Sequence, residues 1–342
     1  MATPPVPQSE QTSYQDRHTG FLICGAVQII LGILVAGMAP MMLLSSLLTR
    51  RTNPGMAMPL RNLIPVSLIY VGLAVVLIVL GIGSVQVRRW ARALTLVVSW
   101  LWLVMGIGAV IATLVFVPRA MSGILSSIPK QSGGPDMTII MAVAVTVGIV
   151  FVAVLYVVVP LVFVLFYGSR NARETANHRD PVGRWTDRCP LPVLAASGMM
   201  LLGGLSYAAM VIAHPLIPFF GAYVTGPPGI VACVLLAFAW IVLAVRLYSL
   251  RPRTWWIAFL AHTLMSVSGM VTFFRLGMGP IYQQMQTPPQ QMEMMRRMGF
   301  LSSSAPGYFG IISGVLVLAY FLWIKRFFQP PQQPMATPAA LT

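Results

Sequence analysis

The chain has 342 residues, of which 57% are hydrophobic and only 8% are charged, and its formal net charge is +15. Soluble domains usually carry about 25% charged residues, so this composition excludes an ordinary water-soluble protein. The sequence has no zinc finger, no RNP-like motif and no basic helix with interleaved aromatic residues, which argues against nucleic acid as a partner. We expect membrane lipids, including anionic headgroups, to be partners of the basic residues.

Eight apolar stretches are each long enough to cross a membrane. A helix needs about 20 apolar residues to span the hydrocarbon, where the backbone must satisfy its own hydrogen bonds. The stretch from Cys189 to Val245 contains Pro215 and Pro218 and therefore predicts two helices. The predicted spans lie at 19–49, 62–87, 93–118, 137–169, two within 189–245, 254–274 and 298–324. This pattern predicts an all-α polytopic membrane protein with about eight transmembrane helices.

The eight spans form two halves in which the same order of features recurs. Each half opens with a Gly-rich span interrupted by proline, at Pro40 or Pro215, and continues to a basic-aromatic turn, VQVRRWARAL or RLYSLRPRTWWIAFL. Four spans is an even number, so this repetition predicts two parallel four-helix repeats. The predicted organisation is a disordered N-terminal tail at 1–19, the first repeat at 20–170, a cytoplasmic connector at 171–190, the second repeat at 191–327 and a disordered C-terminal tail at 328–342.

The distribution of basic residues predicts the orientation in the membrane. The side that holds both termini carries 14 of the 22 Lys and Arg residues, and an excess of these residues marks the cytoplasmic side. We therefore expect both termini in the cytoplasm. The connector also holds Glu174, Asp180 and Asp187. It could fold over the inner face, but a charged segment of this kind favours a solvated linker.

The segment that enters the second half reads DPVGRWTDRCPLPVLA. Together with the four-plus-four arrangement of spans, it resembles uncharacterised multi-pass bacterial inner-membrane proteins. The resemblance covers most of the chain and implies a bacterial inner (cytoplasmic) membrane. It implies no activity and no functional residue.

Polar residues deep within the predicted spans are few. No predicted span contains Asp, Glu or Lys away from its ends, which argues against ion-coupled transport or catalysis by intramembrane carboxylates. His262 and Ser266, one turn apart, form a candidate ligand site, to which Gln28 and Ser99 are added. We favour, however, a neutral His262 imidazole that is hydrogen-bonded across a helix interface. His214 lies too far from His262 in depth for the two to share a haem.

A methionine-rich segment in the last loop, QMEMMRRMGF, contains Met292, Met294, Met295 and Met298. Thioethers are soft ligands that suit Cu(I), so these four residues are a candidate copper site. However, a spacing of three residues from Met292 to Met295 to Met298 favours one face of a short interfacial helix. We predict that the segment binds no metal, and we predict no cofactor.

Two features within the spans predict local packing. Pro160 removes a backbone hydrogen bond and predicts a kink in the fourth span. The sequence Gly106-Ile107-Gly108 predicts a close approach between helices.

Three classes of function follow from these features. We rank first a non-catalytic membrane subunit or scaffold that binds other membrane proteins or lipids. A transporter that moves a small solute through the repeat interface is second, and an enzyme that acts on lipid is third because intramembrane carboxylates are missing. A transporter predicts a polar cavity between the halves that is reached by Gln28, Ser99, His262 or Ser266, whereas a scaffold predicts a filled interior.

Overall fold

The computed structural model describes residues 14–53, 59–125, 137–297 and 305–328. Within these residues, eight helices are long and apolar enough to cross a membrane. This confirms the predicted all-α polytopic class and the number of spans. The spans are His18–Thr52, Arg61–Val85, Arg89–Leu114, Ile139–Gly168, Leu191–Ile212, Gly226–Tyr248, Pro252–Leu276 and Gly310–Phe328.

The described secondary structure is almost entirely helical. In chain order it comprises α1 (His18–Thr52), α2 (Leu60–Val85), α3 (Arg89–Leu125), α4 (Met137–Ala153), a π-helical turn (Val154–Val158), α5 (Val159–Gly168), α6 (Arg170–Arg179), a 3-10 turn (Trp185–Arg188), α7 (Leu191–Ile212), β1 (Ile217–Phe219), β2 (Ala222–Val224), α8 (Gly226–Tyr248), α9 (Pro252–Leu276), α10 (Gly279–Gln284), α11 (Pro289–Arg297), α12 (Ala305–Ile324) and a 3-10 turn (Lys325–Phe328).

The proline of the first span does not interrupt it. The predicted span 19–49 includes Pro40, and α1 continues through Pro40 to Thr52. Proline removes a single backbone hydrogen bond, a loss that transmembrane helices tolerate. In the second half α7 ends at Ile212, so there the helix does stop before Pro215.

The chain divides into two compact units. The first unit comprises Met1–Met41 and Ser67–Arg188, and the second comprises Met42–Val66 and Cys189–Thr342. The last part of α1 and the first part of α2 are therefore grouped with the second half of the sequence.

In the first unit, α1 and α2 approach each other closely through glycine. A Cβ atom on Gly25 would lie 2.8 Å from the carbonyl oxygen of Gly81, and a Cβ atom on Gly81 would lie 2.8 Å from that of Gly25. A Cβ atom on Gly32 would lie 3.1 Å from the carbonyl oxygen of Ala74. Backbones that meet in this way gain the van der Waals contact that holds helices together in lipid.

The fourth span changes its winding in the middle. Helix α4 passes through the π-helical turn Val154–Val158 into α5, and this wider turn lies where Pro160 leaves a backbone carbonyl without its usual donor. Helix α3 crosses at the same place, because a Cβ atom on Gly106 would lie 1.8 Å from the carbonyl oxygen of Tyr156. The close approach predicted for the Gly106 segment is therefore present.

The connector folds onto one end of the first unit. Helix α6 begins at Arg170, and its Ala172, Thr175 and Ala176 are buried. The core at this end is formed by residues of α1, the α2–α3 turn, α5 and α6: Phe21, Cys24, Val87, Phe163, Tyr167, Ala172 and Ala176. The solvated linker that the sequence favoured is not what the structure shows, because the buried side chains of α6 pack into this core.

In the second unit, hydrogen bonds to backbone carbonyls join α7, α8, α9 and α12. Ser197 on α7 donates to the carbonyl of Ala244 on α8 at 2.7 Å. The Trp255 indole on α9 donates to Phe321 on α12 at 2.9 Å. The Tyr320 hydroxyl on α12 donates to the carbonyl of Pro192 on α7.

A short β-hairpin connects α7 to α8. Strands β1 and β2 pair antiparallel, with Phe219 opposite Ala222. The two residues between the strands, Phe220 and Gly221, have φ values of 41° and 93°. Two consecutive positive φ values are typical of the tight turns that match the twist of a hairpin.

Helix α9 provides hydrogen-bond partners for the backbone of this hairpin. Ser268 accepts a hydrogen bond from the N–H of Phe220 at 3.0 Å and donates to the carbonyl of Pro218 at 2.9 Å. Thr272 accepts from the N–H of Gly221 at 2.9 Å. Both hydroxyl residues are almost fully buried. Non-helical backbone near a membrane requires such protein partners.

Candidate functional site

A cavity of about 420 Å³ lies between α7, α8 and α9 in the second unit. Most of the lining residues lie near the middle of these helices, whereas Met210 lies close to the end of α7, so the cavity lies at about mid-depth along the spans and is partly open. Its lining consists of Gly203, Ser206, Tyr207, Met210, Trp240, His262, Met265 and Ser266. It therefore combines aromatic and thioether surface with a few neutral polar groups.

The aromatic wall of the cavity depends on a glycine. A Cβ atom on Gly203 would lie 2.8 Å from Cδ1 of Trp240, so the indole occupies space that a side chain would take. The Tyr207 ring lies 5.9 Å from the Trp240 ring at an angle of 78°, which is a favourable edge-to-face arrangement. The contact fixes two adjacent aromatic surfaces on the cavity wall.

His262 lies between the cavity and α12. Its ring is stacked on Phe321, with the centroids 5.9 Å apart and the planes at 26°. Among the described residues, none is hydrogen-bonded to the His262 ring. The interhelical hydrogen bond that we considered for His262 is thus not formed by any described residue, which leaves the imidazole nitrogens available to a ligand within this part of the chain.

The hydroxyl groups of the cavity have different capacities. Ser206 donates its hydroxyl hydrogen to the carbonyl of Leu202 at 2.8 Å, so it offers a ligand only acceptor capacity. The hydroxyl of Ser266 lies 3.7 Å from the position that a Cβ atom on Gly314 would occupy. Because α12 contributes only a glycine here, Ser266 has space beside it.

Gln28 and Ser99, the other two predicted site residues, are buried in the first unit. Each is only 1% exposed, and neither lines the cavity. The side-chain oxygen of Gln28 is buried without a hydrogen-bond partner in the part of the chain that the structure describes. The structure therefore brings His262 and Ser266 to one cavity and leaves Gln28 and Ser99 in the packed interior.

The methionine-rich segment is partly described. Met292 and Met295 are half-buried on α11, which supports the predicted helix. Met298 and the side chain of Met294 lie outside the described part. Within the described residues, no group of three or more His, Cys, Asp and Glu side chains is arranged to hold a metal ion. That finding does not bear on thioether ligands, so the metal-free segment stays a prediction, with copper as its alternative.

A second polar cluster lies where the connector meets the α2–α3 turn of the first unit. The Asp180 carboxylate is 3% exposed and accepts hydrogen bonds from Arg184, with the nearest pair of atoms 2.9 Å apart. It also accepts from the backbone N–H of Arg89 at 3.2 Å, and Arg88 lies 4.0 Å away. Asp187 accepts from the N–H of Arg184 at 2.8 Å.

Asp180 is stabilised in its charged form by these partners. Burial alone raises the pKa of a carboxyl group, but the hydrogen bonds from Arg184 and Arg89 and the charges of Arg184 and Arg88 outweigh it. The pKa of Asp180 is therefore below its ordinary value. Asp180 thus anchors the connector to the first turn of α3.

The N-terminal residues also contact the connector. Arg179 donates to Asp16 at 2.9 Å, and this hydrogen bond holds the pKa of Asp16 below its ordinary value. The rings of Tyr14 and His178 are stacked with their centroids 4.9 Å apart. Residues 14–17, which the sequence assigned to a disordered tail, therefore pack against α6.

The sequence did not predict the polar contacts of His214. His214 donates from Nε2 to the side-chain oxygen of Asn62, and Asn62 donates to the carbonyl of Met285 at 2.6 Å. Burial, and secondly the charge of Arg61, lower the pKa of His214. These residues are distant in sequence. The one sequence feature that indicated their proximity is that they lie at the ends of predicted spans.

Comparisons with protein-family models, with curated proteins and with solved structures find no match to this chain.

Proposed function

We propose that this integral membrane protein is non-catalytic and that its second unit binds a lipid-derived amphipathic molecule in the cavity between α7, α8 and α9. The observation that carries the proposal is the lining of this cavity. Aromatic rings and thioethers form most of it, and the lining residues include no carboxylate, amine or guanidinium. Such a surface suits an apolar ring or chain that carries few polar atoms.

The size and depth of the cavity support the same class of ligand. Its volume of about 420 Å³ lies in the range of about 300–1,000 Å³ that is typical of small-molecule sites. It lies near mid-span, and a molecule dissolved in the bilayer reaches that depth without crossing water. His262 and Ser266 would fix the orientation of the ligand through a carbonyl or hydroxyl group.

A transporter is the second candidate, because the cavity is open and lies at mid-depth. The residues that line it come from one half of the chain, however, and Gln28 and Ser99 do not contribute. A transport site at the repeat interface was expected to use both halves. Loading proteoliposomes with the bound molecule and measuring its exchange separates the two functions, since a binding protein gives the same rate as empty vesicles.

The orientation in the membrane is part of the proposal. Both termini face the cytoplasm, because the side that carries them holds most Lys and Arg residues. The bacterial inner membrane is what the resemblance of the DPVGRWTDRCPLPVLA segment and the arrangement of spans implies. Reporter fusions at the C-terminus test this orientation. Activity of a periplasmic reporter there would contradict it.

The test of binding is the identity of molecules that co-purify with the protein in a mild detergent. We expect one amphipathic species at a fixed molar ratio in the wild type, measured by mass spectrometry. In the variant His262→Phe, the ring that stacks on Phe321 is kept and the nitrogens are lost. We expect this variant to retain at most about a tenth of the bound species, because a buried ligand group would lose its hydrogen bond.

Thr263→Val on the same helix is the matched control. The Thr263 hydroxyl donates to the carbonyl of Phe259 at 2.8 Å within α9, and Thr263 does not line the cavity. This variant should retain the bound species at the wild-type ratio. Equal amounts of bound lipid in His262→Phe, Thr263→Val and the wild type would contradict the proposal.

A further inference from the structure

The first turns of α3 and α6 carry an unusual amount of positive charge. Helix α3 begins with Arg89 and has Arg92 one turn later, and α6 begins with Arg170 and has Arg173 one turn later. Neither first turn contains an acidic residue. Because the N-terminus of a helix is itself positive, basic residues there oppose the helix dipole.

The two first turns lie close together. Helices α3 and α6 are in contact, and Arg173 and Arg89 lie near enough to Arg92 for their charges to repel it. Asp187 and Glu174 offset part of this repulsion. Asp187 already accepts from Arg184 and lies 3.7 Å from Arg89, so its charge is shared.

Arg92 is the residue that lacks a partner. Its Nε atom is buried and has no hydrogen-bond partner among the described residues. No ion pair joins Arg92 or Arg173 to a carboxylate in the same part of the chain. A buried N–H of a guanidinium without a partner is costly, and an anion bound at Arg92 would supply one.

The adjoining 3-10 turn supplies an independent observation. Thr186 in this turn is 2% exposed, and its hydroxyl oxygen is buried without a partner in the described residues. The turn packs on α3. A hydroxyl and a guanidinium, both unsatisfied where the connector meets α3, are the groups that phosphate oxygens require.

We propose that Arg92, with Arg89 and Arg173, binds the phosphate of an anionic phospholipid headgroup at this end of the first unit. The guanidinium of arginine matches two phosphate oxygens at once, and two helix N-termini add to the attraction. The site lies where the spans that contain α3 and α5 end, at Arg89 and Gly168, which is the depth of lipid headgroups. The exposed indole of Trp185 is also typical of that depth.

The test measures binding of short-chain phosphatidylglycerol to the purified full-length protein, with short-chain phosphatidylcholine and inorganic phosphate as comparison ligands. We expect phosphatidylglycerol to bind at least about tenfold more tightly than phosphatidylcholine, which has no net charge. Arg92→Gln should weaken phosphatidylglycerol binding at least about tenfold, because a charge-assisted hydrogen bond is lost. Inorganic phosphate as effective as phosphatidylglycerol would overturn the assignment to a lipid.

Arg173→Gln is the second variant, since Arg173 is exposed and its replacement leaves the core intact. Arg246→Gln in the second unit is the matched control, because it removes the same charge from an exposed position that lies outside this cluster. We expect Arg173→Gln to weaken phosphatidylglycerol binding and Arg246→Gln to leave it unchanged. Equal weakening by both variants would show non-specific attraction and would overturn the proposal.

Discussion

The two units use similar polar residues in different surroundings. In the first unit, Gln28 and Ser99 are each 1% exposed and lie within tightly packed helices. In the second unit, His262 and Ser266 line an open cavity at mid-span. A polar residue within a span therefore indicates a ligand site only where the neighbouring helices leave space beside it. This space depends on packing, which composition does not reveal.

In the first unit, we expect the largest loss of stability from a substitution at Gly106. We expect Gly106→Ala to lower the free energy of unfolding by about 3 kcal/mol, because its Cβ atom would lie 1.8 Å from the backbone oxygen of Tyr156. Unfolding in bicelles measures this loss. Gly148→Ala is the control, since a Cβ atom there meets nothing within 4 Å; an equal loss in both variants would contradict the packing described here.

The hairpin of the second unit is tested at Thr272. Replacement by valine leaves the buried N–H of Gly221 without an acceptor, so we expect Thr272→Val to cost about 2 kcal/mol. Ser249→Ala is the matched control, because Ser249 bonds only the carbonyl of Val245 at the end of its own helix. The same unfolding assay should show little change for the control. Wild-type stability of Thr272→Val would mean that α9 does not hold the hairpin.

The Asp180 cluster of the first unit predicts a pH dependence. The pKa of Asp180 is lower in the folded protein than its ordinary value of 3.8. The ionised carboxylate therefore stabilises the folded protein above that pH, and this stabilisation is lost as the pH falls through the folded pKa. We expect thermal stability to decline below about pH 4. Asp180→Asn should cost about 2 kcal/mol at pH 7 and should reduce this acid dependence. An unchanged acid dependence in the variant would contradict the assignment to Asp180.

The smallest expected effect is at Gln28. Its side-chain oxygen has no hydrogen-bond partner among the described residues, so Gln28→Met removes an unsatisfied polar group while roughly keeping the volume. We expect the free energy of unfolding to stay the same or to rise by about 1 kcal/mol, with no change in co-purified lipid. A loss of bound lipid in Gln28→Met would contradict the assignment of the lipid site to the cavity of the second unit.

The membrane class and the spans were predictable because hydrocarbon imposes length and apolar composition directly on the sequence. The two-helix interpretation of the stretch around Pro215 also followed from local chemistry. The first span was predicted to run through Pro40, since the apolar run on both sides of it is long enough to form one helix. The π-helical turn before Pro160 was foreseen only as a kink.

The candidate site was predictable in part. An imidazole deep in a span is rare enough to single out His262, and helical spacing adds Ser266. Trp240 and Tyr207 were missed, because aromatic residues are common in spans and the approach of Trp240 on α8 to Tyr207 on α7 depends on Gly203 of α7. The pairing of His214 with Asn62 was missed for the same reason, since it joins residues far apart in sequence.

The most direct test of the central claim is photolabelling with a diazirine-bearing lipid in nanodiscs, followed by mapping of the labelled residues. The cavity account predicts concentrated labelling of 203–210 and 262–266, reduced by His262→Phe and unchanged by Thr263→Val. Labelling spread evenly over the lipid-exposed faces of all described helices, with no excess at the cavity, would contradict it.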